Sequence, residues 1–169
     1  MGRPKAAASG RLWAPWRRAY LLHQRSAGCI FCAARRSHAD RRHHVVARGD
    51  AVFTLLNRYP YNNGHVMIAP YRHIGTLDHL RPAEWGELLT MAQRVVERLT
   101  RGLRPHGFNV GLNLGRAAGA GILGHLHLHV VPRWAGDTNF MPVLGHTKVI
   151  SQSLDEVYRL LTSPDGRRR

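Results

Sequence analysis

Long apolar runs, cysteines and acids are all scarce in this 169-residue sequence. No stretch approaches the ~18 consecutive apolar residues that a membrane-spanning helix needs, and residues 1–10 lack the apolar run of a signal peptide. A soluble, cytoplasmic protein with no membrane partner is the expectation. The two cysteines, Cys29 and Cys32, are too few and too close together for a disulfide framework, and suit a metal site or a redox pair in a reducing compartment. Acids number 10 against 25 Lys and Arg, a net charge of +15, and only Lys5 and Lys148 are lysine. Residues 1–48 hold eleven of the basic residues and one acid, Asp40, a net of +10. The excess has two readings: a compositional bias toward arginine, or long-range attraction of polyphosphate or nucleic acid.

What is present is one domain's worth of apolar material, 44% of the residues. We expect a single domain over residues 11–162 between two loose basic segments, 1–10 and 163–169. Residues 51–56 and 65–69 read as short strands, joined through Tyr59-Pro60-Tyr61-Asn62-Asn63-Gly64 into a hairpin. From 82 to 103, Trp85, Leu88, Leu89, Ala92, Val95, Val96, Leu99 and Leu103 recur at helical spacing. Pro82, Glu84 and Glu87 mark the start of that helix and Gly102 weakens its end. Residues 108–114 alternate, with Phe108, Val110, Leu112 and Leu114 facing a core and Asn109, Gly111 and Asn113 left for polar work. Ser153-Leu154-Asp155-Glu156 is a capping box opening a short C-terminal helix. The class is α+β, with a mainly antiparallel sheet and one long helix.

The most informative segment is Gly124-His125-Leu126-His127-Leu128-His129-Val130-Val131. As a strand it places His125, His127 and His129 on one face and Leu126, Leu128 and Val130 on the other. Imidazole is both a nucleophile toward phosphorus and a base that titrates at about pH 6.5, so three in a row combine attack, orientation and charge stabilisation. Alternate histidines on a strand also chelate zinc, the competing reading. Just upstream, the small-residue loop 115–121 lets backbone N–H groups approach an anion, with Arg116 and Asn113 adding donors. Cys29-Ile30-Phe31-Cys32 has zinc-knuckle spacing but needs two further ligands, for which His73 and a triad histidine are available. Two buried reduced thiols, or a redox pair, are the alternatives.

The His-x-His-x-His pattern followed by two apolar residues resembles the histidine triad family. The resemblance extends through Leu12-Trp13-Ala14-Pro15-Trp16-Arg17, Cys29-Ile30-Phe31-Cys32, residues 57–73 and 108–113, and Pro132-Arg133-Trp134-Ala135-Gly136-Asp137-Thr138-Asn139-Phe140. It is nearest to the branch of fragile histidine triad hydrolases and bacterial diadenosine tetraphosphate phosphorylases. The resemblance implies that His127 attacks an α-phosphorus and forms a nucleotidyl-histidine intermediate that water or another acceptor resolves. It further implies that His129 and His65 support the triad and contact phosphate, that Asn57 holds ribose, and that Asn113 faces the α-phosphate. Gly119, Ala120 and Gly121 would cradle phosphate, Cys29, Cys32, His73 and His125 would bind a structural zinc, and the long helix would contribute to a homodimer. One departure counts: phosphorylase-type sequences often carry a Gly-Ser pair where this chain has Ala120-Gly121. The missing hydroxyl favours water as acceptor, and a hydrolase of dinucleoside polyphosphates or related nucleotidyl conjugates is the expectation. A phosphorylase or nucleotidyl transferase is the alternative. A nucleic-acid-binding or DNA-adenylate-processing protein is less favoured, because the basic N-terminal segment comes with no zinc finger or aromatic-basic RNA motif.

Overall fold

The computed structural model describes residues 28–144 and 149–164. The expected loose segment at residues 1–10, the motif around Trp13 and Trp16, and residues 165–169 of the expected tail lie outside the described residues.

Two short helices, α1 (Ile30–Arg36) and α2 (Asp40–His43), lead into the strands β1 (Val45–Arg48), β2 (Val52–Leu56) and β3 (Val66–Pro70). A 3-10 turn at Leu77–His79 precedes the long helix α3 (Pro82–Leu103), then β4 (Gly107–Leu112) and β5 (Leu128–Arg133). Helices α4 (Met141–Leu144) and α5 (Leu154–Thr162) follow. The five strands form one antiparallel sheet in the order β1-β2-β3-β5-β4. This is the α+β class expected, with β1, α1 and α2 as elements that the sequence pattern did not announce.

Alternation along the strands builds two cores. Val52, Leu56, Val66, Ile68, Leu128 and Val130 meet Leu88, Met91, Ala92, Val95 and Leu99 of α3. Each such side chain withdrawn from water contributes about 1.5–3 kcal/mol. On the opposite face Phe53, Leu55, Met67 and Ala69 pack against Phe31 and Ala34 of α1. His129 lies opposite Met67 on one side and Gly111 on the other, so it belongs to this second face. The fold thus gives one side of the sheet to a structural helix and the other to the histidines.

The ends of the helices follow local chemistry. Pro82 supplies a fixed φ in the first turn of α3, and the Glu84 carboxylate accepts from the Arg81 N–H at 2.9 Å. Glu87 reaches back to the β1–β2 turn, accepting from Asp50 N–H and Ala51 N–H at 2.8 and 2.6 Å. The expected capping box at α5 is formed: Ser153 Oγ accepts from Glu156 N–H at 3.2 Å, and the Glu156 carboxylate accepts from Ser153 N–H at 2.8 Å. Among the described residues no helix is long and apolar enough to cross a membrane.

Three expectations are corrected. The strand expected at 125–131 begins only at Leu128, because the Leu126 N–H is taken by Ile74 O and His125 is drawn into a cluster of side chains. All three histidines are buried: Phe31 of α1 packs on His125 and His127, and Tyr61 stacks on His129. Val110, on the edge strand β4, is 49% exposed, and Leu114, past the end of that strand, is 45% exposed; only Phe108 and Leu112 of that row reach the core. Trp85 and Leu89 of the expected helical stripe are likewise exposed, and Met91 is buried in their place.

Candidate active site

Two adjoining clusters of side chains lie on the α1 side of the sheet. The first contains Cys29, Cys32, His73 and His125, whose ligand atoms all lie within 4.8 Å of one another. His125 Nε2–H donates to Pro70 O at 2.8 Å, which leaves its Nδ1 lone pair facing Cys29 Sγ at 3.2 Å, Cys32 Sγ at 3.7 Å and His73 Nδ1 at 3.2 Å. Cys32 Sγ is 3.2 Å from His73 Nδ1. A tetrahedral zinc, with sulfur at about 2.3 Å and nitrogen at about 2.0 Å, sets its ligand atoms about 3.3–3.8 Å apart. The four residues therefore fit a metal ion in chemistry and in spacing. Burial raises the Cys29 thiol above its ordinary value, and the neighbouring Cys32 thiol adds to this against the opposing backbone N–H groups of Cys32 and Phe31, so a thiolate pair here calls for a cation. Gly124 makes room for this cluster: a Cβ there would lie 3.1 Å from His73 Nε2.

A half-buried ion pair braces the same corner. Arg72 lies next to His73 in the chain and donates to both carboxylate oxygens of Glu84 at 2.7 Å and to His79 O at 2.6 Å. The guanidinium holds the Glu84 carboxyl below its usual range. The start of α3 is thereby tied to the segment that presents His73.

The second cluster is a chain of imidazoles whose tautomers can be read from its two ends. The Tyr61 backbone N–H donates to His65 Nδ1 at 3.1 Å, so the ring proton of neutral His65 is on Nε2. That N–H donates to His129 Nδ1 at 2.9 Å and leaves the His129 proton on Nε2. Asn113 Nδ2 lies 3.4 Å from His129 Nε2. Two N–H donors side by side suit an anionic oxygen that accepts from both. His127 is set separately: its Nδ1–H donates to His125 O at 2.8 Å, which frees the Nε2 lone pair for attack. Its ring is packed between Phe31, with centroids 4.9 Å apart, and His129, 4.7 Å away and nearly edge-on.

These rings are neutral near pH 7. Burial, followed by the neighbouring His129 and His127, pushes His65 down to about 3. Burial and then His127 push His129 down to about 4, and burial lowers His127. An unprotonated His127 keeps its nucleophilic lone pair at physiological pH.

The HIT domain family matches residues 39–136, more than half of the chain. The protein belongs to the histidine triad (HIT) family. It is 44% identical over 161 residues to a Mycobacterium tuberculosis protein named AP-4-A phosphorylase, covering 90% of this chain and 83% of that one. Among solved structures it is similar to a zinc-bound histidine triad family protein from Mycobacterium smegmatis. The TM-score is 0.64 at 27% identity, covering 80% of this chain and 91% of that one. A hypothetical histidine triad nucleotide-binding protein from Sulfolobus tokodaii strain7 gives a TM-score of 0.59 at 25% identity, covering 79% and 87%.

Within this HIT protein the residues expected from sequence fall into recognisable places. Cys29, Cys32, His73 and His125 converge, as do His65, His129, Asn57 and Asn113, with Asn57 Nδ2 3.2 Å from His65 Nδ1. Gly119, Ala120 and Gly121 belong to the connection between β4 and β5, where Gly119 has a positive φ of 85° and its N–H donates to Arg116 O at 3.0 Å. Ile122, at the end of that loop, packs against the cluster around Phe31. Two aromatic residues went unnoticed in the sequence. Phe31 lies between the cysteines and is fully buried beneath His125 and His127. Tyr61 covers His65 and His129. Position offered a signal for each, one flanked by candidate metal ligands and one four residues before His65, yet nothing in the sequence indicates which way a ring turns.

Proposed function

We propose that the chain cleaves dinucleoside polyphosphates or related nucleotidyl conjugates at the α-phosphorus, with His127 Nε2 as nucleophile. The observation that carries this reading is the His127 Nδ1–H bond to His125 O, which aims a neutral Nε2 away from the backbone beside two N–H donors. A P–N bond forms as the bond to the leaving oxygen breaks, and the departing electron pair is stabilised by hydrogen bonds from His129 Nε2–H and Asn113. The acceptor then displaces His127 from phosphorus. Asn57 binds ribose, and the backbone of Gly119, Ala120 and Gly121 contacts phosphate.

Water is the acceptor on our reading, because the loop at Ala120-Gly121 has no hydroxyl to bind inorganic phosphate. The 44% identity to a protein named AP-4-A phosphorylase favours the second reading, with phosphate as acceptor through backbone N–H groups. Incubation with diadenosine tetraphosphate separates the two. AMP and ATP formed without phosphate mean hydrolysis, whereas ADP and ATP formed only with phosphate mean phosphorolysis. His127→Ala abolishes either activity while nucleotide binding persists; a variant that still turns over would overturn the nucleophile assignment.

Zinc is the metal we assign to Cys29, Cys32, His73 and His125; four protein ligands leave no open position, so it supplies rigidity rather than reactivity. Reduced thiols as ligands fit a cytoplasmic protein. The exposed apolar side chains Trp85 and Leu89 of α3 and Val110 of the edge strand β4 are of the kind a homodimer interface would cover.

A further inference from the structure

Tyr61 touches both imidazoles on the donor side of the site, and neither the attack nor the metal cluster uses it. Its ring centroid lies 4.6 Å from that of His65 and 5.6 Å from that of His129, stacked on the latter at 27°. The side chain is 53% exposed, so it is a cover over the histidines and not a core residue.

The loop that carries it is pinned by bonds independent of those rings. Asn57 Oδ1 accepts from the Tyr59 N–H at 2.9 Å. Asn62 Nδ2 donates to Pro132 O at 3.1 Å and to Asp137 Oδ2 at 2.8 Å, and Asn63 Nδ2 donates to Gln152 Oε1 at 2.6 Å. Gly64 has a φ of +73°, and a Cβ there would lie 2.8 Å from Leu103 Cδ1. Tyr61 is therefore a fixed wall.

The hydrogen bond at Nδ1 and the Asn113 amide 3.4 Å from Nε2 hold the two nitrogens of the His129 ring but leave its plane free to rock about the line between them. The plane is set by what packs its faces, with Tyr61 stacked against it and His127 meeting it nearly edge-on. We propose that Tyr61 is a positioning residue for His129, holding the ring plane so that Nε2–H points at the departing oxygen. This rests on the reading of His129 as donor to the leaving group. The ring, not the phenol hydroxyl, does the positioning.

A hydrogen bond to a departing oxygen counts for more as that oxygen becomes more basic, because more charge collects on it. Loss of alignment therefore affects poor leaving groups selectively. The test uses single-turnover release of phenols from two adenylyl esters, the phenyl and the 4-nitrophenyl ester of AMP, with the zinc-loaded full chain. Tyr61→Leu loses about three- to tenfold on the phenyl ester and under about twofold on the nitrophenyl ester, while Tyr61→Phe matches wild type on both. Unchanged Tm and zinc content in Tyr61→Leu show that the fold is intact. Equal losses on the two esters, or a Tyr61→Phe variant that behaves like Tyr61→Leu, overturn the proposal. His129→Phe, which keeps a ring and removes the donor, is run alongside. If it lacks leaving-group selectivity, the donor reading fails and takes this inference with it; if it shows selectivity and Tyr61→Leu does not, only the role of Tyr61 fails.

Discussion

His65 Nε2 lies 2.9 Å from His129 Nδ1, with both rings buried, although the residues are 64 positions apart in the chain. The bond runs in one direction only, because the Tyr61 N–H already occupies His65 Nδ1. His65 thus decides which nitrogen of His129 carries the proton. Replacing His65 by Leu removes that control without adding charge, so His129 populates the wrong tautomer. The expected result is a fall in kcat on the order of 10²-fold with KM changed little, measured by steady-state kinetics on diadenosine tetraphosphate. A variant with normal kcat would show that His129 needs no partner.

The same burial makes stability depend on pH. His65 is held down to about 3 in the folded chain, whereas an unfolded histidine titrates at about 6.5. Between those values the unfolded state binds more protons, so this contribution is fully present above about pH 6.5 and is lost as pH falls toward 3. Calorimetry from pH 7 down to 4.5 should find Tm falling more steeply in wild type than in His65→Leu, which has no proton to take up at this position. Parallel curves would mean that His65 is protonated in the native state.

Much of this arrangement is legible in sequence because it depends on short spacing. Two-residue alternation announces His125, His127 and His129 as a set, and helical spacing after Pro82 gives α3 both its ends. Ser153 and Glu156 announce α5 by local chemistry. What stays hidden is set by distant pairing. Strand β1 has only four residues among arginines and histidines, and exists because Val45 and Arg48 pair with Leu55 and Phe53. Val110 alternates correctly yet remains exposed, since only the strand order shows that β4 lies at an edge. The strand expected from His125 is shortened because Leu126 and His125 bond to residues 52 and 55 positions earlier, Ile74 and Pro70.

The metal cluster predicts a loss that can be separated from loss of chemistry. Cys29 and Cys32 flank Phe31, which packs beneath His127, so releasing the cysteines frees the wall behind that ring. Native mass spectrometry should find one zinc per chain in wild type and in His127→Ala, and none in Cys32→Ser. Tm of Cys32→Ser falls by about 5 °C or more, given several kcal/mol from the metal and about 2–4 °C per kcal/mol for a chain of this size. Full zinc content in Cys32→Ser would remove that residue from the ligand set.

Gly102 sets two stability rules against each other. It lies near the end of α3, where glycine costs about 1 kcal/mol relative to alanine, so propensity alone predicts that Gly102→Ala stabilises the protein. Packing predicts the reverse. A Cβ at this position would lie 2.5–2.7 Å from Cδ1, Cδ2 and Cγ of Leu160, well inside contact distance. Leu160 is buried in the core that joins α5 to α3, so its side chain yields only by displacing neighbours such as Leu99 or Val157. Overpacking of this kind costs about 1–3 kcal/mol and outweighs the propensity gain over most of that range. Gly102→Ala should therefore lower stability by about 1 kcal/mol in urea unfolding, and the double variant Gly102→Ala with Leu160→Ala should show the two changes to be strongly coupled. A single variant more stable than wild type would mean that α5 is free to move away from α3.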